Sequence, residues 1–342
     1  MTPKIALLYT GGTIGMSQDP ATKKLVPLNF EHLNKQIPEL DRLEVDIVVH
    51  ELWQAIDSSD FRPAHWLKLA NKVVELYDQY DGFVILHGTD TMAYTASALS
   101  FLLQNLGKPV ILTGSQLPIG VLRTDGKENI ISAIEIAAAK KNGLPIVPEV
   151  CIYFEYKLLR GNRSTKISTE HFDAFKSPNY PVLAEAGVNI TYFEEHINQS
   201  YFGKVKALQN VSNRVISLKL FPGINPEIIS LYRKSDFHDA LILEGFGTGN
   251  TGTNEELLKE LEQWCYSGKL LAVTSQCVFG SIYLDKYASS ARLSDLGALN
   301  TQDETFESIV TKLMIALGNS ESLEEAGKKY SASWSGERRE AL

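Results

Sequence analysis

Short runs of apolar residues, each followed by a polar or glycine-containing turn, recur along the first half of the chain. Such runs predict buried strands, because strands covered on both faces of a parallel sheet carry few polar residues. They lie at residues 5–9, 82–86, 109–113 and 149–156, with a more alternating strand at 43–52. Apolar residues at helical spacing predict helices between them, at 61–80, 92–106 and 129–141. Strands alternating with helices predict a parallel sheet with right-handed crossovers and helices on both faces.

The alternation weakens between about residues 190 and 209 and then resumes. Strands are predicted at 215–221, 240–243 and 270–274, and helices near 225–232, 255–266 and 305–317. We therefore predict an α/β protein with a larger N-terminal parallel-sheet α/β domain and a smaller C-terminal α/β domain. The catalytic N-terminal domain is placed at 1–190, a linker at 191–210 and the C-terminal domain at 211–342.

Hydroxyl and carboxyl side chains follow the predicted strands at the point where each strand ends. Thr-Gly-Gly-Thr at 10–13 follows the first strand, and His-Gly-Thr-Asp-Thr at 87–91 follows a later one. Ligands of open α/β sheets bind beyond the carboxyl ends of the strands. We therefore expect these loops to bring together Thr13, Thr89, Asp90 and, in one interpretation, Ser115. Taken alone, Thr13 also fits a simple helix cap.

Two further polar segments have open interpretations. Residues 16–28 contain two prolines and little apolar periodicity, so they are predicted to be a surface loop and a candidate lid. Asp-Ser-Ser-Asp at 57–60 precedes a predicted helix. These residues either cap that helix, which is the commoner use of such side chains, or form a polar wall of a ligand site.

Composition narrows the class of protein. The chain is 44% hydrophobic and 22% charged, as in ordinary soluble proteins, and no apolar run is long enough to span a bilayer. A net charge of -8 argues against nucleic-acid binding, because phosphate recognition needs a basic surface. The N-terminus lacks a secretory signal pattern, and three widely spaced cysteines form no disulfide framework. These observations predict a cytoplasmic protein with neither a membrane nor a nucleic-acid partner.

Several well-known motifs are absent from the sequence. The glycines at 11–15 do not fit GxGxxG, no Gly-Lys pair is followed by Ser or Thr, and no Gly-x-Ser-x-Gly occurs. The seven histidines never lie three or four residues apart, so helix-borne zinc ligands are not indicated. We accordingly predict no cofactor and no metal, which leaves threonine chemistry.

A threonine nucleophile needs a base that takes its proton. A lysine can be that base only as a neutral amine, and a second threonine can relay the proton to it. Thr89, Asp90 and Lys166 supply these groups if residues 160–166 fold back over the strand ends. That run is polar and is interpreted as flexible, and its simpler interpretation is an exposed basic turn.

Four segments together give the chain a recognisable signature. They are Thr-Gly-Gly-Thr-Ile-Gly at 10–15, Asp-Ser-Ser-Asp at 57–60, His-Gly-Thr-Asp-Thr at 87–91 and Arg-Gly-Asn-Arg-Ser-Thr-Lys at 160–166. With them the chain resembles the bacterial L-asparaginases, most closely their cytoplasmic type I branch. The similarity extends over most of the chain and thins beyond about residue 190.

The resemblance implies an amidohydrolase that converts L-asparagine to L-aspartate and ammonia without a cofactor. Thr13 matches the nucleophile, which forms a covalent threonyl acyl-enzyme. A second catalytic cluster is matched by Thr89, Asp90 and Lys166. The substrate's α-carboxylate and α-amine are expected to be held by Asp57, Ser58, Ser59, Thr89 and Asp90. The strand ends also point the backbone N–H groups near Thr89 and Gly114 toward the site as oxyanion donors. A homotetramer, a dimer of dimers, is implied.

The sequence departs from the family pattern at two positions. Leu25 stands where family members carry a lid tyrosine, and Glu244 stands where the type I branch has an allosteric arginine, although Cys277 matches that site. A carboxylate cannot replace a guanidinium as a partner for a carboxylate ligand, so allostery of this kind is expected to be weak or absent. Two alternatives stay open, a non-catalytic asparagine or aspartate sensor and the ammonia-producing subunit of a tRNA-dependent amidotransferase.

Overall fold

The computed structural model describes residues 2–18, 25–27, 37–199, 203–284 and 288–339. The chain divides into two compact units, Met1–Ala207 and Leu208–Leu342. Each unit has its own sheet and helices, as expected for the larger and smaller α/β domains. The predicted fold class is thus confirmed, whereas the predicted domain and linker limits stay a prediction.

The strands of the first unit form one large sheet and several two-stranded pairs. In the described part of the chain, eight strands make the large sheet, in the order β15-β14-β11-β10-β7-β5-β1-β4. These strands are β1 (Lys4–Gly11), β4 (Asp46–Ile56), β5 (Gly82–Leu86), β7 (Val110–Thr113), β10 (Val150–Phe154), β11 (Lys157–Arg160), β14 (Ala184–Ala186) and β15 (Ile190–Tyr192). The short pairs use β2 (Met16–Gln18), β3 (Leu25–Pro27), β6 (Leu103–Gln104), β8 (Lys140–Lys141), β9 (Leu144–Pro145), β12 (Thr165–Lys166), β13 (Phe175–Lys176) and β16 (Lys206–Ala207).

Strand direction divides the large sheet into two parts. β4, β1, β5, β7 and β10 run parallel, and β11, β14 and β15 continue the sheet antiparallel. The helices of the first unit are α1 (Pro63–Leu76), α2 (Met92–Leu102) and α3 (Gly126–Ala138). One core cluster joins a face of the sheet to α3 and includes Ile5, Leu7, Val84, Leu86, Ile130 and Ile134. The parallel strands therefore end at one edge, with β1 between β5 and β4.

Some local predictions for the first unit are wrong. The segment 16–28 was expected to be a loop, but β2 and β3 pair within it as antiparallel strands, Met16 opposite Pro27. Residues 19–24 and the side chain of Leu25 lie outside the described residues, so the predicted lid and the missing tyrosine are not described. The strand expected at 149–156 ends at Phe154, because Glu155 and Tyr156 both have positive φ and turn the chain into β11.

The second unit is a parallel four-stranded sheet between helices in the described part of the chain. β17 (Val215–Lys219), β18 (Ala240–Gly245), β19 (Leu270–Ser275) and β20 (Leu299–Asn300) lie in chain order. The helices are α4 (Glu227–Lys234), α5 (Glu255–Tyr266), α6 (Ala288–Asp295), α7 (Phe306–Gly318) and α8 (Leu323–Ser331). Alternate strand residues face opposite layers. Leu241 and Leu243 pack with α5, whereas Ala240 and Ile242 pack with α7.

A buried ionic cluster ties the end of the chain to α7. Lys312 is fully buried, forms an ion pair with the buried carboxylate of Glu337, and donates to the Ala332 carbonyl oxygen at 2.7 Å. An Arg338 guanidinium nitrogen lies 2.8 Å from a Glu304 carboxylate oxygen. Buried charges are tolerated only when paired in this way, so these pairs fix the C-terminal segment.

The helices of the described chain were compared with the length and apolar character of a membrane-spanning helix. Among the described residues, no helix combines the length and the apolar character needed to cross a bilayer.

Candidate active site

Two glycines at the end of β1 let three backbone segments meet. A Cβ on Gly11 would lie 2.1 Å from the Ile56 carbonyl oxygen, and one on Gly12 would lie 2.4 Å from Gly88 Cα. Gly12 has φ 85° and ψ 171°, a conformation almost restricted to glycine. Thr13, the next residue, begins a short 3-10 turn and is half-buried. The end of β1 thus places Thr13 on a loop in contact with the loop that carries Thr89.

The loop after β5 carries two more of the predicted catalytic side chains, Thr89 and Asp90. Lys166 Nζ lies 2.8 Å from Thr89 Oγ1 and donates to it, and it lies 2.6 Å from Asp90 Oδ1. The Lys166 side chain is 16% exposed, whereas that of Asp90 is 65% exposed. The structure therefore brings Thr89, Asp90 and Lys166 into one hydrogen-bonded group, in which the lysine is largely shielded from water and the aspartate is exposed.

Lys166 reaches this group because residues 160–164 are packed into the first unit. Arg160 Nε lies 2.7 Å from a Glu149 carboxylate oxygen in a buried ion pair, and its guanidinium stacks on the Tyr180 ring. Arg163, 1% exposed, donates to the Asn179 carbonyl oxygen at 2.8 Å. The interpretation of this run as flexible is wrong, because its arginines have fixed, buried partners distant in sequence.

Residues 57–60 form a short 3-10 turn at the end of β4. Asp57 Oδ1 accepts hydrogen bonds from Ser59 N and Ser59 Oγ, both at 2.8 Å. The backbone and side-chain hydrogen bonds from Ser59 lower the pKa of Asp57, so its carboxylate is ionised at neutral pH. Asp57 caps this turn, whereas Arg62 occupies the N-cap of α1. The capping interpretation thus applies to the turn and not to α1.

The turn lies beside the β5 loop. Ser58 is 3% exposed, and a Cβ on Gly88 would lie 2.7 Å from its Oγ. The Thr91 hydroxyl donates to the Ser58 carbonyl oxygen at 2.7 Å. The segment 57–59 and the loop 89–91 therefore face the same edge of the sheet as Thr13.

His87, for which the sequence predicts no role, is fully buried at the start of this loop. Burial lowers its pKa to about 4, so its ring is neutral at physiological pH. Nδ1 lies 2.7 Å from the Gly88 carbonyl oxygen, which can only accept, so Nδ1 carries the proton. Nε2 then accepts from Thr95 Oγ1 at 2.9 Å, and Thr95 accepts from Trp66 Nε1. This chain of hydrogen bonds fixes the carbonyl of Gly88, next to Thr89.

Beside the hydrogen-bonded group, an open cavity of about 370 Å³ is lined by Asp90, Lys166 and residues 167–171. Ser115, in contrast, faces the start of α3, since a Cβ on Gly126 would lie 3.2 Å from Ser115 Cβ. Within the described ranges, no group of three or more His, Cys, Asp or Glu side chains is placed to hold a metal. The chemistry available at this edge is that of hydroxyl, amine and carboxylate groups.

Comparison with known protein families covers almost the whole chain. Residues 4–198 match the sequence model described as Asparaginase, N-terminal, and residues 214–328 match that of the Glutaminase/Asparaginase C-terminal domain. The chain belongs to the asparaginase family. The predicted resemblance to this family is thereby confirmed, and the type I relatives described next confirm the resemblance to its type I branch.

Asparaginase relatives span nearly the whole chain. L-asparaginase 1 of Escherichia coli strain K12 is 39% identical over 337 residues, 97% of this chain and 97% of that protein. The solved L-asparaginase I from Vibrio cholerae is 38% identical, with a TM-score of 0.89 over 99% of this chain and 100% of that one. The thermostable L-asparaginase from Thermococcus kodakarensis has a TM-score of 0.90 at 30% identity, with coverage of 99% and 100%. Both units therefore have the asparaginase fold.

Glu244 and Cys277, the two positions compared with the allosteric site of type I asparaginases, lie at one edge of the second sheet. Glu244 is near the end of β18, and Cys277 follows the end of the neighbouring strand β19. Burial raises the pKa of Glu244, while Lys219 on β17 opposes that shift. Cys277 is exposed.

Proposed function

We propose that this protein hydrolyses L-asparagine to L-aspartate and ammonia through a covalent threonyl ester. The observation that carries the proposal is the contact of Lys166 Nζ with Thr89 Oγ1 and Asp90 Oδ1, beside the Thr13 loop. The E. coli relative named L-asparaginase 1 supports the reaction. These relatives do not favour the sensor or the amidotransferase subunit.

In the first half of the reaction, the Thr13 hydroxyl oxygen attacks the side-chain amide carbon of asparagine. Its proton passes through the Thr89 hydroxyl to Lys166, the base of the relay. The Thr89 oxygen, 2.8 Å from Lys166 Nζ, is within the range for such a transfer. The proton then goes to the departing nitrogen, the carbon–nitrogen bond breaks, and ammonia leaves an ester on Thr13.

In the second half, a water molecule attacks the ester carbon and gives up a proton to the same relay. The carbon–oxygen bond to Thr13 breaks, aspartate leaves, and the threonine oxygen recovers its proton. Backbone N–H groups near Thr89 and Gly114 stabilise the oxyanion in both halves. The hydrogen bond from His87 Nδ1 to the Gly88 carbonyl supports this role, because it fixes the peptide that donates from Thr89.

Charge supports the proposed substrate contacts. Two carboxylates, Asp57 and Asp90, border the site and complement the α-ammonium group of asparagine, and the Asp57 carboxylate stays ionised because its pKa is lowered. When the substrate binds, the exposed hydroxyl of Ser59 exchanges its hydrogen bond to Asp57 for one to the α-carboxylate. One end of the substrate is thereby anchored while its amide faces Thr13.

The test is ammonia release from L-asparagine by the wild type, Thr13→Ala and Thr89→Val. Both variants are expected to lose turnover, by at least about 100-fold, because each removes a hydroxyl on the proton path. Unchanged circular dichroism shows that the fold is retained. Near-normal turnover in either variant refutes the role assigned to that residue. If the wild type binds L-asparagine but releases no ammonia, the proposal that the protein is an enzyme is refuted.

The resemblance carries two further proposals, a cytoplasmic location and a homotetramer built as a dimer of dimers. Sedimentation tests the second, with an expected mass about four times the 38.0 kDa of the chain. We also propose that allosteric asparagine binding is weak or absent, because the Glu244 carboxyl group cannot replace a guanidinium as a partner for the carboxylate of the ligand.

A further inference from the structure

The hydroxyl of Thr91 has an unusual partner. Thr91 occupies the N-cap of α2, where a threonine side chain ordinarily accepts a hydrogen bond from the first turn of the helix. No such cap bond is present. The hydroxyl instead donates to the carbonyl oxygen of Ser58, 33 residues away, at 2.7 Å. The sequence position of Thr91 therefore predicts a local role, and its contact indicates a long-range one.

Sheet order explains what this contact does. Ser58 follows β4 and Thr91 follows β5, and these strands are not neighbours, because β1 lies between them. Adjacent strands lie about 4.8 Å apart, so the two loops are joined across the end of β1. In the same loops, Gly12 packs on Gly88, and Gly88 packs on Ser58. The Thr91 hydroxyl thus links the loop after β4 to the loop after β5, which also contacts Gly12, the residue before Thr13.

We propose that Thr91 is a positioning residue that sets the substrate-anchoring segment 57–59 relative to Thr89 and Asp90. This inference rests on the proposed function, in which that segment holds the α-carboxylate and α-amine of asparagine. The distance from the anchored end of the substrate to its amide is fixed, so a displaced segment binds asparagine less well in the reactive position. Thr91 acts through Ser58 and touches no reacting atom.

Thr91→Val keeps the shape of the side chain and removes the donor. The Ser58 carbonyl still accepts from Phe61 N, and the Thr91 carbonyl still accepts from Thr95 N, so the turn and the start of α2 persist. We expect KM for L-asparagine and Kd for L-aspartate to rise about five- to tenfold, as for one lost hydrogen bond, with kcat within about twofold. Thr91→Ser, which keeps the hydroxyl, is expected to restore both constants.

A matched control comes from the second unit. The buried Thr301 hydroxyl donates to the Val273 carbonyl oxygen at 2.9 Å, so Thr301→Val loses a comparable bond outside the site. It is expected to leave KM and Kd unchanged. A role limited to stability predicts a lower kcat at unchanged KM for Thr91→Val, since only the active fraction falls. That result, or a Kd within twofold of the wild type, overturns the proposal.

Ser59→Ala separates failure of this inference from failure of the proposed function. If Ser59→Ala weakens L-aspartate binding and Thr91→Val does not, the positioning role is overturned and the proposed anchoring segment stands. If neither variant changes Kd, both are overturned. Calorimetry with L-aspartate gives Kd without turnover, so the result does not depend on the chemical step.

Discussion

Adding one methyl group at Gly12 tests whether the approach of two backbones sets the catalytic geometry. A Cβ there would lie 2.4 Å from both Cα and N of Gly88, whereas ordinary contacts begin at 3.4 Å. The obstacle is backbone, so no side-chain rotation relieves it. In Gly12→Ala the loops carrying Thr13 and Thr89 must therefore separate by about 1 Å, a displacement that typically costs about 100-fold in rate.

Stability falls for two reasons in the same variant. The φ of 85° and ψ of 171° at Gly12 cost alanine about 1–3 kcal/mol, and overpacking adds about 1–3 kcal/mol. Gly143 is the matched control in the same unit, because its φ is 81° and a Cβ there meets nothing within 4 Å. Gly143→Ala is expected to lose only about 1–2 kcal/mol of unfolding free energy, with unchanged activity.

The assay compares kcat/KM for L-asparagine in both variants, measured on protein whose folded fraction is verified by urea unfolding. Gly12→Ala is expected to lose about 100-fold in kcat/KM and Gly143→Ala less than twofold. If Gly12→Ala matches Gly143→Ala in activity, the contact between Gly12 and Gly88 does not set the distance between Thr13 and Thr89.

Two other predictions concern pH and saturation. Burial lowers the pKa of His87 to about 4, below its unfolded value of 6.5. The free energy of unfolding is therefore about 3 kcal/mol higher above pH 6.5, where the ring is neutral in both states, than below pH 4. That stability is lost as pH falls from 6.5 toward 4, and urea unfolding of His87→Gln should lack this dependence; an identical pH profile in the variant contradicts the assignment. With Glu244 in place of the allosteric arginine, turnover should follow a hyperbolic curve in L-asparagine, and a clear sigmoid contradicts this expectation.

The parallel part of the fold was predictable because its strands are buried on both faces. Runs such as 82–86 and 109–113 carry no polar residue until the strand ends, so both their type and their limits are marked in the sequence. The antiparallel extension was missed for a physical reason. Its turn uses Glu155 and Tyr156 at positive φ, positions where glycine or asparagine is the usual signal.

Some residues of the candidate site were likewise predictable from the sequence, and others were not. Thr13, Thr89 and Asp90 were predicted to share an edge because strand ends in a parallel sheet meet there. Neither His87 nor Thr91 could be assigned, since each has a partner that only the packed structure brings near, the Thr95 hydroxyl for His87 and the Ser58 carbonyl for Thr91. His87 does carry a weak signal, being a polar residue directly after a buried strand. Such a residue must find a partner beneath the loop.

The segment before Lys166 shows how a polar stretch without apolar periodicity can be held in place. Residues 160–164 are buried, yet their anchors are a carboxylate, carbonyl oxygens and an aromatic ring instead of a hydrophobic core. A planar guanidinium satisfies several such partners at once with little loss of freedom per bond. The site therefore has two sides. Lys166 is positioned by the ion pair and hydrogen bonds of residues 160–164, and Thr13 by the close backbone contacts of Gly11 and Gly12. The proposed proton transfer between the two sides requires both, because hydrogen-bond lengths tolerate only a few tenths of an ångström.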